Sequence, residues 1–294
     1  MADQVRPLAI GRRRVADCTA GAGGHTVLFL DAGARVMAVD RDPDAIETLR
    51  ERFRDTDAVV CTQGAFSDAP VLAELTRFAP DLIFADLGVS SYQIDEPTRG
   101  FSFQADVPLD MRMNPAAQED AADILNTWSQ AKLHSLFADY ADERRAARLA
   151  REVVRRRQRA SFAVSDDLVN AIRAALGPRS GPADFARIFQ AVRIGVNDEL
   201  QALREALPRW LEALHPGGDI AIVSYHSGED RIVKHTFREW ARACVCEPGV
   251  PVCTCRGAPL GEVVTRKPIE PGEDEIRLNA RARSAKLRVF RKAM

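Results

Sequence analysis

Nowhere do the 294 residues contain an apolar run near the ~20 that a membrane-crossing helix requires. The first residues, Met-Ala-Asp-Gln-Val-Arg, lack the apolar centre of a signal peptide. A cytoplasmic location and no membrane partner are therefore expected. Net charge is nearly absent too: Lys and Arg total 41, Asp and Glu 42, a formal charge of −1. Overall charge thus selects no polyanion partner, and only local clusters can do so. What is present is ordinary for a globular chain, with 46% hydrophobic and 28% charged residues. The length suits one large domain, or a core with an inserted subdomain.

Strand and helix patterns alternate over the first third. Val15-Ala16 reads as a strand ending at Asp17, and the loop Cys18-Thr19-Ala20-Gly21-Ala22-Gly23-Gly24-His25 follows. A helix begins near Thr26. Arg35 to Val39 is a second strand closed by Asp40, and Pro43 to Phe53 a helix with proline in its first turn. Ala58 to Cys61, a helix over 71–78, and Leu82 to Ala85 continue the rhythm, the last strand ending at Asp86. This order specifies a parallel sheet with crossover helices. From Ala121 to Leu176 only helical periodicity is visible. Leu200, Leu203, Leu207, Leu211 and Leu214 then form a stripe at helical spacing. Ile220 to Ser224 is a fifth parallel strand, and Lys286 to Arg291 alternates like an antiparallel strand at the C-terminal edge. The expected fold is α/β, with a core of residues 1–114 and 198–294 and a helical insert at 115–197.

The glycine turn lacks something as well. A dinucleotide loop wants Gly-x-Gly-x-x-Gly, but His25-Thr26 stands where the third glycine should fall. Asp40, about twenty residues on, suits ribose hydroxyls. A donor without phosphates, S-adenosylmethionine, fits better than NAD or a flavin. Asp17 is available for its amino acid moiety, and Phe66 and Asp86 lie just past strands three and four.

No cysteine lies on the Asp86 loop or at the rim of the fifth strand, which disfavours the covalent route to pyrimidine carbon 5. An exocyclic amine instead needs an acceptor for its N–H, a role that suits Asp86. His226, in Ser224-Tyr225-His226-Ser227-Gly228-Glu229-Asp230-Arg231, is a second catalytic candidate; fixing its loop is the other reading. Phe101, Phe103 and Tyr225 offer stacking surfaces or core packing. Arg144, Arg145, Arg148, Arg151, Arg155, Arg156, Arg157 and Arg159 crowd one helix, and Arg281, Arg283, Lys286, Arg288 and Arg291 cluster near the end. Either face suits RNA phosphates or plain solvation.

The six cysteines divide into two kinds. Cys18 and Cys61 read as packing residues. Cys244, Cys246, Cys253 and Cys255 form Cys-x-Cys…Cys-x-Cys, which in a cytosolic chain favours a metal, zinc first, over disulfides. One intervening residue, where zinc sites more often have two, leaves reduced thiols on a hairpin as the other reading.

Taken together, Asp17-x-Thr19-x-Gly21-x-Gly23-Gly24-His25, Asp40-Arg41-Asp42, Asp86-Leu-Gly-Val-Ser-Ser-x-Gln93, Arg99-Gly-Phe-Ser-Phe, Leu109-Asp-Met-Arg-Met, the Ser-x-His-Ser-x-Glu-Asp-Arg loop, Thr265-Arg-Lys-Pro-Ile and Ala282-Arg-Ser-Ala-Lys-Leu-Arg resemble the MraW (RsmH) family of bacterial 16S ribosomal RNA cytosine-N4 methyltransferases. The resemblance implies a Rossmann-like methyltransferase core with an inserted helical domain that recognises RNA. It implies S-adenosylmethionine as methyl donor and a cytidine in the decoding region as target. The partners implied are 16S rRNA and the small ribosomal subunit; a homodimer is an open arrangement. Carried onto this chain, the donor site is Gly23, Gly24, His25, Asp40, Phe66, Asp86 and Gln93. Three departures stand out: no His-x-Pro-Val-Leu segment is visible in Met1 to Arg14, Gly228 stands where leucine is usual, and Ala280 where proline is. Two rivals remain: an amino-methyltransferase for another substrate, and a fold that only binds RNA.

Overall fold

The computed structural model describes residues 1–246, 252 and 254–294. In chain order the first elements are α1 (Ala2–Ala9), β1 (Arg14–Asp17), α2 (Gly24–Asp31), β2 (Arg35–Asp40), α3 (Pro43–Arg52), β3 (Val59–Gln63), α4 (Ala69–Phe78) and β4 (Leu82–Asp86). There follow α5 (Ser91–Asp95), α6 (Ala121–Thr127), α7 (Gln130–Ser135), α8 (Ala146–Arg157), α9 (Ser165–Leu176), α10 (Pro182–Asn197), α11 (Glu199–Ala213), β5 (Asp219–Ser224), α12 (Ser227–Trp240), β6 (Gly261–Val263), α13 (Glu273–Leu278) and β7 (Lys286–Lys292). No helix among the described residues is long and apolar enough to cross a membrane. Packing divides the chain into two units, Met1–Gly88 with Leu200–Met294, and Val89–Glu199.

The first unit is a seven-stranded sheet ordered β3-β2-β1-β4-β5-β7-β6. β1 to β5 run parallel; β7 pairs antiparallel with β5, from Asp219↔Arg291 to Ser224↔Lys286. The tail strand has the expected direction, and β6 lies outside it, so Leu287, Val289 and Phe290 are buried. Alternation along each strand feeds two faces. Met37, Val39, Ile83, Ala85, Ile220 and Ile222 meet α4, α11 and α12, with Trp210 fully buried among them. Val15, Val36, Leu82, Phe84, Ala221 and Val223 meet Phe29 of α2 and Val5 and Ala9 of α1. The helix α1 was not legible in the sequence, where Pro7 interrupts its pattern. Its burial is tertiary in origin. Below the sheet, the buried Asp219 accepts from Arg12 and from Arg291 Nε at 2.8 Å, so its charge is paired.

The second unit is a helical cluster around Ile124, Phe137, Leu149, Ile172, Ile188 and Val192. Residues 89–114, which their sequence places with the core, pack here: Leu109 and Met111 lie in this cluster, and Pro108 bridges to Val164. The Leu-Asp-Met-Arg-Met motif is a folded knot. Arg112 forks onto Asp110 at 2.7–2.8 Å, and Arg99 donates to the carbonyls of Arg112 and Met113. Met111 holds a left-handed φ of 62°, costly for a side-chain residue. Gly100 is needed at φ 77°, because a Cβ there would lie 2.5 Å from the Pro108 carbonyl. The buried Asn197 fastens the knot, donating to Met111 O at 2.8 Å and accepting from Met113 N at 2.9 Å. Asn197→Ala leaves both groups unpaired and is expected to cost about 2 kcal/mol in denaturant unfolding. A loss under a few tenths would show that the knot supports nothing.

The arginine-rich helix α8 is only partly a free basic face. Arg157 donates to Leu125 O and Trp128 O at 3.1 and 2.7 Å, capping the end of α6. Arg145 and Arg148 reach Leu176 O and Ala174 O at the end of α9. Arg155 and Arg156 share Glu152. Arg144, Arg151 and Arg159 are exposed. In the first unit, Arg288 and Arg291 of the tail cluster are likewise paired, with Asp230 and Asp219.

Candidate active site

The strand order reverses at β1, whose neighbours are β2 and β4. In open α/β sheets a reversal of this kind, at the carboxyl ends of β1 and β4, is where ligands bind. Three carboxylates close the strands at this rim: Asp17, Asp40 and Asp86. Asp17 is fully buried and accepts from Thr26 Oγ1 at 2.8 Å, fastening the first turn of α2 to β1. Thr19 Oγ1 accepts the Asp86 amide at 2.6 Å, which ties the glycine turn to the end of β4. Asp40 accepts from Gly21 N at 2.8 Å and Asp42 N at 2.9 Å. Its carboxylate thus holds the turn and still has lone pairs to offer.

Gly23 sits at φ 82° ahead of α2, and a Cβ there would lie 2.8 Å from the Phe53 ring, so this glycine is needed for packing as well as for the turn. A Cβ on Gly24 would meet nothing within 4 Å, so the first turn of α2 borders open space. His25 points its Nε2 at Asp86 Oδ2, 3.1 Å away, and tilts over Phe84 with ring centroids 4.8 Å apart. Asp86 Oδ1 is buried, and among the described residues no hydrogen bond of ordinary geometry reaches it. The Tyr225 phenol faces the same carboxylate. Burial, then the charge of Asp86, pushes its pKa upward and keeps it protonated. In the sequence Tyr225 offers only a stacking surface or core packing. Its place directly after β5 is the signal that it reaches this rim. Phe66 stands edge-on to Trp210, centroids 5.4 Å apart.

His226 is the N-cap of α12. Its Nδ1 accepts from Gly228 N at 3.1 Å and Glu229 N at 3.4 Å, and Glu229 returns a carboxylate oxygen to the Tyr225 amide at 2.9 Å. These bonds match the loop-fixing alternative. A Cβ on Gly228 would press on the His226 ring at 3.1 Å, so the glycine gives the ring its room. Gln93 lies in the second unit, where its Oε1 accepts from Ser90 N at 3.0 Å. Phe101 packs on the helical cluster, and Phe103 stands edge-on to Phe185 and Phe189. Cys18 is buried and its thiol pKa is driven well up by that burial; Cys61 is half-buried. Cys244, Cys246 and Cys255 converge, while Cys253 lies outside the described residues.

Burial raises the Asp17 pKa from 3.8 to about 6 despite the His25 charge and the Thr26 bond. The folded chain then holds this proton more tightly than the unfolded chain. Its contribution to stability is full below 3.8 and lost as pH climbs through about 6. Asp17→Asn, which stays neutral, is expected to lose less stability than the parent between about pH 4 and pH 7. Parallel melting curves with identical slopes would refute the assignment.

A doubly wound sheet with one reversed strand, a glycine turn after β1 and acids closing β1, β2 and β4 define a Rossmann-like methyltransferase core. The chain belongs to the MraW methylase family, whose sequence model matches residues 6–293. It is 53% identical to the ribosomal RNA small subunit methyltransferase H of Gemmatimonas aurantiaca, over 99% of this chain and 93% of that one. The proteins of the same name from Heliobacterium mobile and Brevibacillus brevis are 43% and 40% identical, over 94% of this chain and 91% and 90% of theirs.

Proposed function

We propose that the protein transfers a methyl group from S-adenosylmethionine to the exocyclic N4 amine of a cytidine in the decoding region of 16S rRNA. The observation that carries this reading is Asp86: one carboxylate oxygen is bonded to His25, and the other is buried at the strand-end rim with no hydrogen bond of ordinary geometry among the described residues. An orphan acceptor beside the open first turn of α2 fits a donor and an amine meeting there.

When bound, S-adenosylmethionine supplies an electrophilic methyl group on a positively charged sulfur. Asp40 accepts the ribose hydroxyls, Phe66 gives an apolar wall to the adenine, and Gly23, Gly24 and His25 shape the turn, which the buried Asp17 fastens through Thr26. The family resemblance adds Gln93. Asp86 accepts an N–H of the target amine, drawing its lone pair out of conjugation with the ring and aiming it in line with the methyl. The reading needs no enzyme-bound covalent intermediate, since neither the Asp86 loop nor the rim of β5 carries a cysteine. His226 acts by fixing the Tyr225 loop. The helical unit binds the rRNA, with Arg144, Arg151 and Arg159 as its uncommitted cations.

Mass mapping of small-subunit rRNA tests the proposal. A strain lacking this gene should carry one cytidine lighter by a methyl group, and restoring the gene should return it. An unchanged map, or an enzyme that gives no calorimetric heat with S-adenosylmethionine, would leave an RNA-binding protein instead.

A further inference from the structure

The chain between Trp240 and Leu260 forms no helix or strand among its described residues. Its base is anchored: Leu260 N donates to Trp240 O at 2.8 Å, and Arg256 donates to Glu239 O and Arg242 O, closing the carboxyl end of α12. Above that base the sulfurs of Cys244, Cys246 and Cys255 all lie within 4.8 Å of one another. Among the described residues no apolar cluster includes them; Cys244 is exposed and the other two are half-buried.

We propose that Cys244, Cys246 and Cys255 bind a structural zinc ion that staples this loop. Zinc thiolates have a metal–sulfur distance of about 2.3 Å, which in a tetrahedron sets sulfurs about 3.8 Å apart. The widest of the three separations, 4.8 Å at most, thus needs to close by no more than about 1 Å to reach a zinc geometry. Cys255 Sγ also accepts the Val245 amide at 3.3 Å, the kind of bond that orients a ligand sulfur and favours its thiolate. Water or a further donor completes the fourth position. Closing a long loop in this way removes unfolded-chain entropy, which places the site with structural rather than catalytic metals.

The untagged protein, prepared in zinc-supplemented medium without chelator, should carry about one zinc per chain by elemental mass spectrometry. Cys244→Ser, Cys246→Ser and Cys255→Ser should each lose most of it, while Cys61→Ser keeps it. Cobalt exchanged into the parent protein should show sulfur-to-metal charge-transfer absorption that all three loop variants abolish. The cobalt spectrum of the parent decides the matter even if a variant fails to fold. Parent protein free of zinc and without that absorption, zinc retained in the serine variants, or a disulfide trapped among these residues in reducing cells would each overturn the proposal.

Discussion

Asparagine in place of Asp86 is expected to lower single-turnover methyl transfer by about 10²–10³-fold while donor affinity changes little. The substitution keeps the shape of the side chain. It also leaves the position 86 amide on Thr19 Oγ1 and allows one bond to His25. It removes the charge, and it can present an NH₂ group where the target amine needs an acceptor. A second readout follows from His25. Burial works against charge on that ring, but the hydrogen bond and charge of Asp86 raise its pKa overall. Without the carboxylate the His25 resonance should titrate at lower pH. Near-native turnover in the variant would remove Asp86 from the chemistry. Lost turnover with an unmoved His25 titration would show that the Asp86 carboxylate does not set the charge of His25.

The Asp40→Ala variant should lose donor binding outright, with calorimetric affinity falling by about 10²-fold or more. Two amides, Gly21 N and Asp42 N, lose their acceptor, so the glycine turn is released at the same time as the ribose partner. Charge-assisted bonds of this kind are each worth about 1.5–3 kcal/mol, enough to account for that drop. Asp40→Asn separates the two roles: it can still accept the Gly21 amide but offers ribose hydroxyls one strong acceptor fewer. Its affinity should fall between parent and alanine variant. Unaltered affinity in Asp40→Ala would place the donor elsewhere.

Much of the first unit was legible residue by residue. Short Val-, Ile- and Ala-rich runs broken by glycine and proline mark strands, and β1 to β5 fall within a residue or two of their expected places. The carboxylates that end β1, β2 and β4 were legible for the same reason. Other features were not. The segment 89–114 reads as loop, yet it packs with the helical unit through Leu109, Met111 and the Asn197 bonds. The arginines of α8 read as one basic face, but Arg145, Arg148 and Arg157 cap the carbonyl ends of other helices. The fate of a long cation depends on which helix ends beside it, and no local pattern records that.

Local periodicity, turn residues and strand-ending acids are properties of neighbours in the chain, so the amino-acid sequence alone determined the α/β class, the glycine turn and the acids at the rim. Long-range packing decided the rest. It set β7 between β5 and β6, brought His25 to Asp86 across 61 positions, turned Tyr225 toward that carboxylate and drew three cysteine sulfurs together. Those contacts depend on strand order and on which faces bury one another, and such energies exist only once the sheet has formed.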